Sequence, residues 1–247
     1  MKHRTGIILA YDRSTFDPVD LKLLREVAPH VDMVKVGLEA IYAELQIEGG
    51  ALTAASLVRD FLQDEDEFEK PIPVMWDAKL ADIGNTIAAA LRNIIVYEPR
   101  FVTIHANISS PALRTAAKIC LGSKTRAFGV TLLSDIDSDD CEVRYHATPA
   151  EVSLAAAKRL KDAGFTGIVC SGRELQFLRD SNVLDGMTTI VVGTRSSGVP
   201  HDDQKRVTTP QEAARLGADY VVIGREIMNA KNHVAAAKAI REELESS

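Results

Sequence analysis

The chain has 247 residues, 46% hydrophobic and 26% charged, a balance that fills a sizeable core and excludes extensive disorder. Its net charge of -6 is spread along the sequence without the basic stripe a nucleic-acid backbone would need, so nucleic acid is not an expected partner. One large domain over 1–247 is expected, because α/β barrels occupy this length undivided. Cys120, Cys141 and Cys170 are odd in number and far apart, which disfavours a disulfide framework or a CxxC site and fits a reducing cytosol. The polar residues 1–5 and the short apolar run 6–10 suit neither a signal core nor a membrane span, so a cytoplasmic protein with no membrane attachment is expected.

In chain order, short apolar runs alternate with amphipathic stretches. Strands are expected at 6–11, 32–37, 72–76, 101–105, 127–132, 167–170, 188–193 and 220–224. Runs such as Phe101-Val-Thr-Ile-His105 and Thr189-Ile-Val-Val192 are apolar or β-branched almost throughout, as strands covered on both faces must be. Helices are expected at 19–27, 51–62, 86–96, 111–121, 149–163 and 212–216. Thr148-Pro149 with Glu151 has the form of an N-cap, a first-turn proline and a capping box; Gly164 sits where that helix should stop, and Thr209-Pro210 repeats the entry. The polar stretches 64–67 and 135–146 read as surface excursions. Eight strand–helix alternations favour a (β/α)8 TIM barrel over an open doubly wound sheet.

Reactive groups in such a barrel stand at the C-terminal ends of its strands. That rule selects Asp12, Lys35, Asp77, Lys79, His105, Ser134, the loop 193–206 and Gly224-Arg225. The densest segment is Trp76-Asp-Ala-Lys-Leu-Ala-Asp-Ile-Gly-Asn-Thr86, and strand alternation would turn Asp77 and Lys79 to the same side, toward the mouth. Taken alone, the segment also fits a surface ion pair at a loop. His105 reads as structural, and the other histidines lack metal-ligand spacing.

The pattern DxKxxDIxNT resembles the signature of the orotidine 5′-phosphate decarboxylase family. Collinear support comes from Leu9-Ala-Tyr-Asp12, Val34-Lys-Val-Gly-Leu38, Ile104-His-Ala106, Val130-Thr-Leu-Leu-Ser134, Val169-Cys-Ser171, Asp203-Gln-Lys-Arg206 and Gly217-Ala-Asp-Tyr-Val-Val-Ile-Gly-Arg225. The resemblance implies conversion of orotidine 5′-monophosphate to uridine 5′-monophosphate and CO2 in pyrimidine biosynthesis, with no cofactor and no metal. It implies a catalytic set of Lys35, Asp77, Lys79 and, from the neighbouring subunit of a homodimer, Asp82. Lys79 would stabilise and protonate a carbanion at pyrimidine C6, with Asp77 beside the substrate carboxylate and held by Lys35. Asp12 is implied for the ribose hydroxyls, Ser134 for the pyrimidine, Gly224 and Arg225 for the phosphate, and Ile83 and Thr86 for the partner's site. Residues 194–203, including Ser197, would form a lid.

Two positions depart from the family pattern. Gly84 stands where Pro is common, and Ser197 where Gln or Glu is common. The short Ser197 side chain cannot span phosphate and pyrimidine, which leaves Arg195 as another contact. Magnesium-dependent sugar-phosphate enzymes resembling 3-keto-L-gulonate 6-phosphate decarboxylase or hexulose-phosphate synthase also carry DxKxxD. They typically place Glu where Lys35 stands, and an ammonium there would repel a divalent cation. A barrel that only senses a phosphate ligand would have no need of so costly a set of charges.

Overall fold

A (β/α)8 barrel forms from the expected alternation. The structure, a computed structural model, describes residues 4–47, 50–196 and 208–246. The strands are β1 (Gly6–Tyr11), β2 (Met33–Val36), β3 (Glu44–Ile47), β4 (Gly50–Thr53), β5 (Val74–Leu80), β6 (Phe101–His105), β7 (Arg126–Val130), β8 (Gly167–Ser171), β9 (Thr188–Val192) and β10 (Tyr220–Ile223). The helices are α1 (Pro18–Val27), α2 (Leu38–Tyr42), α3 (Ala54–Leu62), α4 (Gly84–Ile94), α5 (Ser110–Leu121), α6 (Ser138–Tyr145), α7 (Pro149–Ala163), α8 (Gly172–Asp180), α9 (Pro210–Arg215), α10 (Arg225–Met228) and α11 (His233–Glu245). Apart from the antiparallel hairpin β3–β4, the strands close in the order β1-β10-β9-β8-β7-β6-β5-β2. Every pairing in the barrel is parallel, with Leu9 opposite Val34 on one side and Ile223 on the other.

Strand alternation divides the apolar residues into two sets. Ile8, Met33, Met75, Phe101, Phe128 and Val222 fill the barrel, while Ile7, Leu9, Val34, Val36, Val102 and Ile104 pack toward the helices. The rings of Phe101 and Phe128 lie 4.2 Å apart between centroids, and Phe101 meets Tyr220 edge-on. Two residues further along their strands than Met33, Met75 and Phe101 come Lys35, Asp77 and Thr103, so on each of these strands an inward apolar residue is followed by an inward polar one nearer the mouth.

The helix ends follow their expected chemistry. Thr148 and Glu151 form the capping box of α7, and Gly164 ends it at φ 91°. Thr209 caps α9 by accepting from the Glu212 amide. Other boundaries move. The helix expected at 51–62 starts only at Ala54, because Thr53 is its cap and the preceding residues pair as the hairpin. The excursion expected at 135–146 contains α6, entered through Asp137 and left through His146 at φ 51°. The strand expected at 72–76 runs instead from Val74 to Leu80 and shifts register between Trp76 and Leu80. Among the described residues, no helix is long and apolar enough to cross a membrane.

Candidate active site

The polar layer opens into a cavity of about 450 Å³ at the C-terminal ends of the barrel strands. Its lining includes Asp12, Lys35, Asp77, Lys79, Ser134, Gly224 and Arg225, all selected from the sequence. Arg195 also lines it, buried beside the same mouth, with its guanidinium donating to the Thr194 carbonyl.

The charges form a row. Lys35 Nζ is 2.8 Å from Asp12 Oδ1 and 3.4 Å from Asp77 Oδ2, and Lys79 Nζ is 2.6 Å from the same Asp77 oxygen. Asp77 Oδ1 accepts from the Thr103 hydroxyl at 2.8 Å. The sequence alone does not single out Thr103, since a threonine in an apolar strand reads as β-branched filling; its place two residues before His105 on an inward-facing register is the available signal. Regular alternation does not bring Lys79 to Asp77. Lys79 adopts φ 45°, left-handed for a non-glycine residue, where β5 shifts register, and its amide donates to Thr103 Oγ1 at 2.9 Å.

The local sequence leaves room for this row. A Cβ on Gly37 would lie 2.5 Å from Asp12 Oδ1 and 3.2 Å from Lys35 Nζ, so glycine permits the two side chains to meet. The loop after β1 is held by Asp20, which is fully buried and accepts from Arg13 and Thr15, while Tyr11 Oη donates to the Thr15 carbonyl.

Burial opposes ionisation of both central groups. For Lys35 the nearby Asp77 and Asp12 carboxylates outweigh it and hold the ammonium above its ordinary pKa. For Asp77 the Lys35 and Lys79 charges, with hydrogen bonds from Lys79 and Thr103, outweigh it and hold the carboxyl below its ordinary range. The pair is therefore charged at neutral pH. Burial and the Lys79 charge push His105 below its ordinary value, leaving a neutral ring suited to a structural role.

Three further expected residues are placed elsewhere. Asp82, Ile83 and Thr86 are exposed at the start of α4 and do not line the cavity. Asp82 Oδ1 accepts from the Ile83 amide, and Ile83 is 70% exposed. Ser197 and most of the expected lid lie outside the described residues.

A closed parallel barrel with alternating acids and lysines at its mouth, flanked by two arginines, has the architecture of an α/β-barrel enzyme. The model of the orotidine 5′-phosphate decarboxylase / HUMPS family matches residues 5–240. Orotidine 5′-phosphate decarboxylase from Anaeromyxobacter dehalogenans is 36% identical over 97% of this chain and 98% of its own length. The protein of that name from Gluconobacter oxydans is 34% identical over the whole of both chains. Among solved structures, orotidine 5′-phosphate decarboxylase from Lactobacillus acidophilus superposes with a TM-score of 0.77 at 25% identity, covering 98% of this chain and 99% of that one. The chain belongs to the orotidine 5′-phosphate decarboxylase / HUMPS family and is one of its enzymes.

Proposed function

We propose that this protein decarboxylates orotidine 5′-monophosphate to uridine 5′-monophosphate in pyrimidine biosynthesis, without a metal ion, through a C6 carbanion that Lys79 protonates. The observation that carries this reading is the continuous row Asp12–Lys35–Asp77–Lys79 at the cavity mouth. The names of the family and of its curated members support the same reaction.

In this reading Arg225 and Arg195 hold the phosphate, Asp12 the ribose hydroxyls and Ser134 the pyrimidine, with Gly224 supplying close backbone approach. Asp77 sits against the substrate carboxylate. The bond from C6 to CO2 breaks, its electron pair stays on C6, and a proton passes from the Lys79 ammonium to C6. Lys79 then regains its proton from water. Lys35 acts by holding Asp77, and the fixed charges need no reorganisation as the carbanion develops. A divalent cation would have to share the space between the Asp12 and Asp77 carboxylates with the Lys35 ammonium, which repels it.

Asp82, Ile83 and Thr86 are assigned to the site of a second copy in a homodimer. Their exposure supports this, above all that of the apolar Ile83. Ser197 is placed in the lid by the sequence pattern alone.

The test follows the loss of orotidine 5′-monophosphate absorbance with purified protein, with EDTA and with added Mg²⁺, against Lys79→Ala. Turnover unchanged by EDTA and abolished in the folded variant is the expected result. No turnover by folded wild-type protein in either buffer would overturn the reading and direct attention to sugar phosphates.

A further inference from the structure

We propose that Thr103 is a positioning residue for the reaction, its single hydroxyl fixing the Asp77 carboxylate and the Lys79 backbone relative to one another. The inference rests on the catalytic reading of Asp77 and Lys79 given above.

The geometry assigns the hydroxyl both of its roles. A carboxylate only accepts and an amide only donates. Thr103 Oγ1 therefore donates its one proton to Asp77 Oδ1 at 2.8 Å and accepts from the Lys79 N–H at 2.9 Å. Thr103 is fully buried, so water does not compete for either contact. Its own backbone is fixed in the barrel, with Thr103 opposite Phe128 on β7 and Val102 opposite Trp76 on β5.

Position matters here because the reacting side chains meet across an irregular backbone. Lys79 is held at φ 45°, and the register of β5 against β6 shifts on either side of it. Without an acceptor for its amide, this conformation loses the contact that selects it over the ordinary strand geometry. Without the donor, Asp77 keeps its lysine contacts on Oδ2 but loses the one that anchors Oδ1, so the orientation of the carboxylate between Lys35 and Lys79 is less tightly fixed. Thr103 reaches the reaction through these two residues and does not itself line the cavity.

The experiment compares Thr103→Val, which keeps shape and loses the hydroxyl, with Thr103→Ser, which keeps the hydroxyl. Thr103→Cys, with a weak donor and acceptor, serves if the valine variant fails to fold. The readouts are kcat and KM for orotidine 5′-monophosphate and hydrogen exchange at the Lys79 amide in the full chain. Thr103→Val is expected to lower kcat by about 10–100-fold with KM changed by less than about threefold, and to remove protection of the Lys79 amide. Thr103→Ser is expected to retain both, and Thr103→Cys to fall between. Wild-type kcat or unchanged Lys79 protection in the valine variant overturns the proposal, as does a serine variant no better than valine. In the cysteine variant, wild-type values for both readouts do the same. If wild-type protein does not turn this substrate over, the functional reading fails by itself and the exchange measurement still decides whether Thr103 fixes Lys79.

Discussion

Replacing Asp77 by Asn removes one charge and almost no volume. The amide can still offer Thr103 an oxygen, but its NH2 then faces Lys79 Nζ, formerly 2.6 Å from oxygen, and Lys35 Nζ, formerly 3.4 Å from it. Donors face donors. The Lys35 side chain is only 9% exposed, and its remaining carboxylate partner, Asp12, is 51% exposed and screened by water. Breaking a buried pair by removing one partner costs about 3–5 kcal/mol. Asp12 retains part of the compensation and Lys79 can turn toward solvent, so the lower end, about 3 kcal/mol, is expected. At about 2–4 °C per kcal/mol for a chain of this size, Tm should fall by about 6–12 °C at pH 7.

The pH dependence tests the cause. In the wild type Lys35 is held above its ordinary pKa, so its contribution is complete below the unfolded value of about 10.4 and is lost as pH rises through the folded value. In the variant, burial acts on Lys35 with only Asp12 opposing it, so its folded pKa drops and the penalty shrinks as lysine deprotonates. The gap between the two melting temperatures should therefore narrow from pH 7 to pH 10 in thermal unfolding followed by circular dichroism. A gap below about 1 °C at pH 7, or one equal at both pH values, would refute the claim that Asp77 neutralises a buried lysine.

Gly37→Ala should push the half-exposed Asp12 out of its contact with Lys35, raising KM several-fold in steady-state assays while costing less than about 1 kcal/mol of stability, since that pair is solvent-screened. Gly84→Pro should be tolerated and raise stability by about 0.4–1 kcal/mol in denaturant titration. Gly84 is the first helical residue of α4, a Cβ there meets nothing closer than 3.6 Å, and Ile83 before it is already extended at ψ 158°. Thr148→Ala should remove the α7 cap and lower stability by about 1 kcal/mol, read as a shift in the urea midpoint, without changing kcat.

Much of this was legible because its physical cause is local. Two-sided burial makes barrel strands read as apolar runs, and Thr148, Glu151 and Gly164 mark the ends of α7 through side-chain and backbone chemistry that needs no partner element. The hairpin was not legible, because residues 51–53 carry the same small and apolar types that begin a helix, and only pairing with 44–46 makes them a strand. The meeting of Asp77 and Lys79 was expected from alternation and is achieved by a register shift and a left-handed lysine, which depend on what β6 presents. Thr103 is of the same kind: its role exists only once strands distant in sequence are in register.

The left-handed Lys79 links the strain at the site to the fold beneath it. A non-glycine residue in that region costs of order 1–3 kcal/mol and persists only where its surroundings determine it. Two groups do so here: Thr103 takes the Lys79 amide, and Asp77 takes its ammonium. Both stand on strands whose register is set by the apolar layer below, with Met75 opposite Phe101 and Phe101 packed on Phe128. Precision at the charged row is therefore a property of the barrel core. A core substitution that shifted β5 against β6 would disturb the Lys79 geometry while leaving every charged side chain in the sequence unchanged.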